Sequence, residues 1–390
     1  MSTQVGAVAV LRAPQAARVL VASLLGRLPL GAGPLALLVF ARERLSLGAA
    51  ALLVAAFTAG IAVGGPLLAR AADRWRQPPV LWLAVLASTL GYALVAGSTA
   101  VGLGAAGAAL AGLGAPPFEA CLRVLWRDLV PPAAVSSAYT VDIAAQELIF
   151  IMGPLATVLA VALLGPAGGL YACAATQLAG TAWFATAPVV LSWRGEQVER
   201  HWLGALRSGA LRVILVAVVL VGAAVGSVVV AITGYAEARG TTASAGWLIA
   251  AQAVGALIGG LSYARVRPSA RRPPLTAIAG AMAVAYLPLL LQPGPGAMAV
   301  LLVLSGLGLP VLLTVAFLTV DRVAPAGTAA EAFAWVATAF AIGSAGGAAV
   351  TGLLIDSAAS VRVGFAVSPV LLALAAGVFA VLLMFGRERR

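Results

Sequence analysis

Twelve predominantly apolar runs, separated by short connections that carry arginine, decide most of what this chain can become. A helix needs roughly 20 such residues to cross a bilayer core, where every backbone N–H and C=O must be satisfied within the segment itself. The runs are Gln15–Phe40, Leu47–Leu68, Val80–Ser98, Gly102–Leu125, Val135–Leu164 and Gly168–Leu191, then Val213–Thr233, Ser244–Ala264, Leu275–Leu291, Gly296–Val320, Ala332–Ile355 and Val363–Phe385. With 62% hydrophobic and 9% charged residues, the chain has too few polar side chains to clothe a soluble surface. The expected fold is an all-α integral membrane protein of twelve transmembrane helices. The first run follows Arg12 and Arg18 but is longer than a signal-peptide core, so it reads as a retained helix. Proline inside runs, as at Pro29, Pro34, Pro154 and Pro310, predicts bends rather than ends.

All 24 basic residues are arginine, and the net charge is +11. In a soluble protein that excess would point to nucleic acid, but these arginines lie between apolar runs and read as topology. With a cytoplasmic N-terminus, 18 arginines fall inside and 4 outside, while Arg27 and Arg123 fall within runs. The positive-inside rule then puts both termini in the cytoplasm, in a cell (plasma or inner) membrane. Trp75, Trp82, Trp126, Trp193 and Trp202 fall near the same face, as an interfacial aromatic belt would place them.

The chain repeats itself at half its length. Ala55, Ala56, Gly60, Gly64, Gly65, Ala69 and Arg70 recur 195 residues later as Ala250, Ala251, Gly255, Gly259, Gly260, Ala264 and Arg265. Gly112-Leu113-Gly114-Ala115-Pro116 recurs as Gly306-Leu307-Gly308-Leu309-Pro310 at an offset of 194. Duplicated bundles leave this trace, so residues 1–192 and 213–390 are expected to form two six-helix bundles related by a pseudo-two-fold axis, with 193–212 as a central cytoplasmic loop. The pairs Gly60/Gly64, Gly255/Gly259 and Gly343/Gly347 are spaced for close helix packing, either static or sliding during a rocking motion.

After the second run the sequence reads Gly64-Gly65-Pro66-Leu67-Leu68-Ala69-Arg70-Ala71-Ala72-Asp73-Arg74-Trp75-Arg76-Gln77. This resembles the signature loop of the major facilitator superfamily, in which a glycine, an Asp-Arg pair and further basic residues join helices two and three. Ala69 and Gln77 depart from the family pattern. The resemblance implies the twelve-helix fold and a cytoplasmic latch, with Gly65, Asp73, Arg74 and Arg76 in the loop and Asp73 facing the start of helix eleven. Arg74 or Arg76 could also bind Asp128 at the end of helix four. The arginines read equally as plain positive-inside anchors.

Ionisable groups at bilayer depth are costly and mark function by default. Arg27 and Glu147 lie at similar depths in helices one and five, neighbours by the family resemblance, and form the expected buried pair. Asp142 and Gln146 share one face of helix five, whereas Glu147 points elsewhere. Glu119 and Arg123 are spaced i, i+4 on helix four, and Arg123 could pair there or reach Asp142. These six residues are the candidates for proton coupling and the substrate cavity, or for a static network bracing the first bundle. All strongly buried charges are expected in the first half.

No phosphate-binding glycine loop appears, and one histidine with two scattered cysteines offers no metal or catalytic cluster. The expectation is therefore a secondary transporter without cofactor or metal, monomeric and not an enzyme. It moves a small organic molecule by alternating access, with proton-coupled efflux of a hydrophobic or cationic compound favoured. Gly153-Pro154 on helix five has a faint likeness to a motif of proton-coupled drug antiporters in the superfamily. Proton-symport uptake of a small solute and a non-transporting membrane scaffold are the alternatives.

Overall fold

The computed structural model describes residues 7–45, 47–195, 203–239, 244–264, 273–358 and 360–387. The all-helical expectation holds, and among the described residues there is no β-strand. The helices are α1 (Ala16–Arg42), α2 (Leu47–Arg74), α3 (Gln77–Gly97), α4 (Val101–Leu129), α5 (Val135–Leu164), α6 (Gly168–Ala185), α7 (Gly209–Glu237), α8 (Ser244–Tyr263), α9 (Leu275–Tyr286), α10 (Pro295–Val323), α11 (Ala329–Ala358) and α12 (Val361–Arg387). Ten of these are long and apolar enough to cross a membrane. The other two are α6, which carries Thr176, Gln177 and Thr181 in its 18 residues, and the short α9, which a 3-10 turn extends to Leu291.

Three spans are broken in mid-course, each at a helix-breaking sequence. In α1 the first segment ends at Arg27, and the second starts with Pro29 at its first position, where its missing N–H costs nothing. Gly114 followed by Pro116-Pro117 divides α4 into Val101–Leu113 and Phe118–Leu129. The related Gly306-Leu307 point divides α10.

Helix pairing in the first six helices is repeated by the last six. α1 packs on α5 and α6 as α7 packs on α11 and α12, α2 on α4 as α8 on α10, and α3 on α6 as α9 on α12. Glycine permits the second of these pairings. A β-carbon on Gly60 or Gly64 would overlap the Ala109 or Leu113 carbonyl, and one on Gly255 or Gly259 would overlap that of Val303 or Leu307, so backbones touch directly. Gly343 and Gly347 meet α7 in the same way at Val219 and Ala223.

Across the halves, α2 packs on α11 and α5 on α8, and α4 meets α11 as α10 meets α5. These seams use the ends that carry Arg70, Arg74, Arg127 and Arg322, called here the arginine-rich end. Seven residues of the expected central loop, 196–202 with His201 and Trp202, lie outside the described residues. The rest is ordered by Gly204, whose backbone is left-handed at φ 52°, and by the short turn Gly204–Arg207, so that α7 begins at Gly209 rather than Val213.

Candidate functional site: a buried charge ring above a closed seam

The helix breaks position the charges. Arg27 occupies the last turn of its segment, where the helix dipole favours a cation, and Glu119 occupies the first turn of its own, where an anion is favoured. Arg123 follows Glu119 by one turn, and α5 brings Asp142 between the two arginines. Arg27 Nη1 donates to Asp142 Oδ1 at 2.9 Å, and Arg27 Nη2 lies 3.5 Å from Glu119 Oε2. Arg123 Nη1 lies 2.5 Å from Glu119 Oε1, and Arg123 Nε lies 3.3 Å from Asp142 Oδ2. Each charge thus touches both opposite charges, and the ring is neutral. Gln146, one turn beyond Asp142, accepts from Arg27 Nη2 at 2.7 Å. The Arg27, Arg123 and Asp142 side chains are at most 1% exposed, whereas Glu119 is 18% exposed and is the accessible member.

From the ring towards the arginine-rich end, the halves are sealed in tiers. Arg123 lies over the ring of Phe317 of α10, its guanidinium carbon 3.7 Å from the ring centroid. Tyr139, Phe317 and Phe333, from α5, α10 and α11, meet pairwise edge to face at 5.9–6.3 Å. Around them Thr140 and Thr314 share a 3.1 Å hydrogen bond, Ser137 donates to the Ala264 carbonyl, and Thr338 donates to the Ala62 carbonyl. At the surface, Asp73 accepts the N–H groups of Ala330 and Glu331 at 3.2 and 2.8 Å, holding the first turn of α11. Arg127 donates to Asp321, with 2.9 Å from Nε to the carboxylate and 2.9 Å from Nη2 to the carbonyl. A cavity of about 660 Å³ opens beside them, lined by Asp73, Arg127, Asp128 and Asp321.

Several expectations need correction. The described partners of Arg27 are Asp142, Glu119 and Gln146; the side chain of Glu147, its expected partner, lies outside the described residues. Arg123 does not choose between Glu119 and Asp142 but touches both. Among the described contacts, Arg76 donates to the Leu191 carbonyl, Arg74 lies over the Trp75 ring, and the exposed Asp128 lines the cavity. Gly65 faces Thr338 with room for a β-carbon, the nearest atom being 3.9 Å away. Trp126 is fully buried in the core instead of joining an interfacial belt.

Buried charge is not confined to the first half. Glu331, 4% exposed, takes the Ala205 N–H and faces Arg70 and Trp335. Sequence reasoning missed Asp321 and Glu331, though both left a signal. Arg127 and Asp321 are 194 residues apart, the repeat offset itself, so pseudo-symmetric positions carry opposite charges. Glu331 follows Thr328 just where an acidic residue suits a helix start.

The family model described as Major Facilitator Superfamily matches residues 19–243. No curated protein matches the chain. Among solved structures, a bacterial homologue of the iron transporter ferroportin in an outward-facing state is 18% identical with a TM-score of 0.72, covering 94% of this chain and 98% of that one. The E. coli fucose:proton symporter is 12% identical with a TM-score of 0.70 and the same coverages. The human organic anion transporter MFSD10 is 17% identical with a TM-score of 0.68, covering 94% and 99%. At these identities the likeness is one of fold.

Proposed function

Because the chain belongs to the major facilitator superfamily, whose members carry solutes by alternating access, we propose that it is a proton-coupled exporter of hydrophobic or cationic organic molecules. The single observation that carries this reading is the exposure pattern of the charge ring. Its accessible member is a carboxylate, Glu119, while both arginines are sealed behind it. A ligand arriving from the side opposite the seam therefore meets negative charge first, which suits a cation and repels an anion. A proton and an organic cation both neutralise that carboxylate, so each displaces the other, and exchange follows without a further device. Asp142 and Glu147 are the further proton-coupling candidates on α5.

The arginine excess at the seam supports a cytoplasmic location for that end and for both termini, in a cell membrane. The seam then closes the cytoplasmic side. Asp73 with Arg74 and Arg76 is the gating loop in this reading, and its carboxylate on the α11 helix start is the latch. The protein acts as a monomer and needs no cofactor.

The test is flux in proteoliposomes carrying a lumenal pH dye, challenged with a panel of organic cations and neutral hydrophobes. An acidic lumen should drive cation uptake with proton release, and Glu119→Gln should uncouple the two. If solute instead accumulates only when the outside is acidic, proton symport is the correct reading. If no compound moves protons in either direction, the coupling proposal fails.

A further inference from the structure

The charge ring belongs to the first half, yet one of its members reaches across to the second. Arg123 is ion-paired with Glu119 and Asp142 and also lies over the ring of Phe317, which belongs to α10. Phe317 also belongs to the Tyr139–Phe317–Phe333 cluster, which draws one ring from the first half and two from the second. Opening the arginine-rich end requires α5 to part from α10 and α11, so Phe317 must leave Tyr139, Arg123 or both. All four side chains are at most 3% exposed, so water does not replace the lost contacts until the seam is open.

We propose that Arg123 and Phe317 form the link through which the state of the charge ring reaches the gate. This rests on the reading that the chain alternates access, and it adds a positioning residue, Phe317, that no charge-based inspection would select. The guanidinium stays over the Phe317 ring while ion pairs to two carboxylates hold it there. When a cation or proton takes Glu119, Arg123 loses one of those holds, its plane turns, and the aromatic cluster loses the face that clamps it from the ring side. The gate then opens in response to occupancy, with no contact between ligand and gate. A guanidinium suits this place, because it pairs with carboxylates and also stacks on aromatic rings.

The experiment uses the full-length chain with Cys121→Ala and Cys173→Ala, reconstituted in vesicles, and Ser137→Cys as reporter. Ser137 is 5% exposed beneath the seam and bonded to the Ala264 carbonyl. The readout is its labelling rate by a membrane-impermeant maleimide applied from the arginine-rich side. Phe317→Leu should raise that rate about tenfold, the size expected from losing a cation–π contact and an aromatic pair. Phe317→Tyr, which keeps the ring face, should restore it, and this rescue also shows that the fold is intact. Arg123→Gln should raise labelling similarly, and combining it with Phe317→Leu should add less than twofold, because both remove one contact. Phe333→Leu, which does not touch Arg123, should instead multiply with Arg123→Gln. Unchanged labelling in Phe317→Leu would overturn the gate role, and simple multiplication of Arg123→Gln with Phe317→Leu would overturn the link. No solute is needed, so failure here is distinct from failure of the proposed efflux.

Discussion

Asp142→Asn removes one negative charge from the neutral ring and leaves two buried arginines sharing Glu119. Asp142 is fully buried and contacts both guanidinium groups, at 2.9 and 3.3 Å, so nothing else can take over its charge. Breaking a buried pair by removing one partner costs about 3–5 kcal/mol, most of it the penalty of leaving a charge uncompensated. For a cooperative unit of the size of the first half, roughly 2–4 °C is lost per kcal/mol, which gives a fall of roughly 6–20 °C in thermal midpoint. The assay is thermal unfolding of purified protein followed by intrinsic tryptophan emission. The decisive variant is the double change Arg27→Gln with Asp142→Asn, which restores neutrality and keeps Arg123 with Glu119. It should recover at least half of the loss, because uncompensated charge and not the missing bonds carries the cost. If the double variant unfolds no later than the sum of the singles requires, the ring is not a charge-balanced unit and the reasoning fails.

Other consequences follow from the seam and the packing. Asp73→Asn should slow turnover several-fold while leaving solute binding intact, since charged hydrogen bonds to helix N–H groups are worth about 1.5–3 kcal/mol each; unchanged turnover would remove Asp73 from the latch. Reversing the half-exposed pair, Arg127→Asp with Asp321→Arg, should restore seam labelling that either single change raises only about two- to fivefold, as a solvated pair contributes roughly 1 kcal/mol or less. Gly259→Val should lower expression and midpoint by about 1–3 kcal/mol equivalent, because the opposing Leu307 atom is a backbone oxygen, while Gly65→Ala should change neither.

Much of this organisation was legible in the sequence, and the residues show why. Apolar runs and their length dictate spanning helices whatever the partners, so the twelve elements followed from hydrogen-bond satisfaction alone. The glycine pairs marked positions of close helix packing, and backbones do meet at them, although their spacing did not say which helix would be the partner. Partner choice was a different matter. Arg27 and Glu147 match in depth, but depth says nothing of rotation, and Arg27 meets the Asp142 and Gln146 face of α5. Trp126 was misplaced for the same reason, because proximity to an interface does not reveal which way a helix face points. Phe317 could not be found at all from sequence, as an isolated aromatic in an apolar run gains meaning only from Arg123 lying against it.

The central claim is that two halves rock about the ring, and inter-half distances test it most directly. Spin labels at Trp75→Cys and Arg322→Cys would report the arginine-rich end, and labels at Ala100→Cys and Ala297→Cys the opposite end, all four positions being exposed. Distances between each pair, measured in lipid with and without a coupled solute and at acidic and neutral pH, should change in opposite senses, one end widening as the other narrows. A single unchanged distance at both ends under every condition would contradict alternating access by this chain.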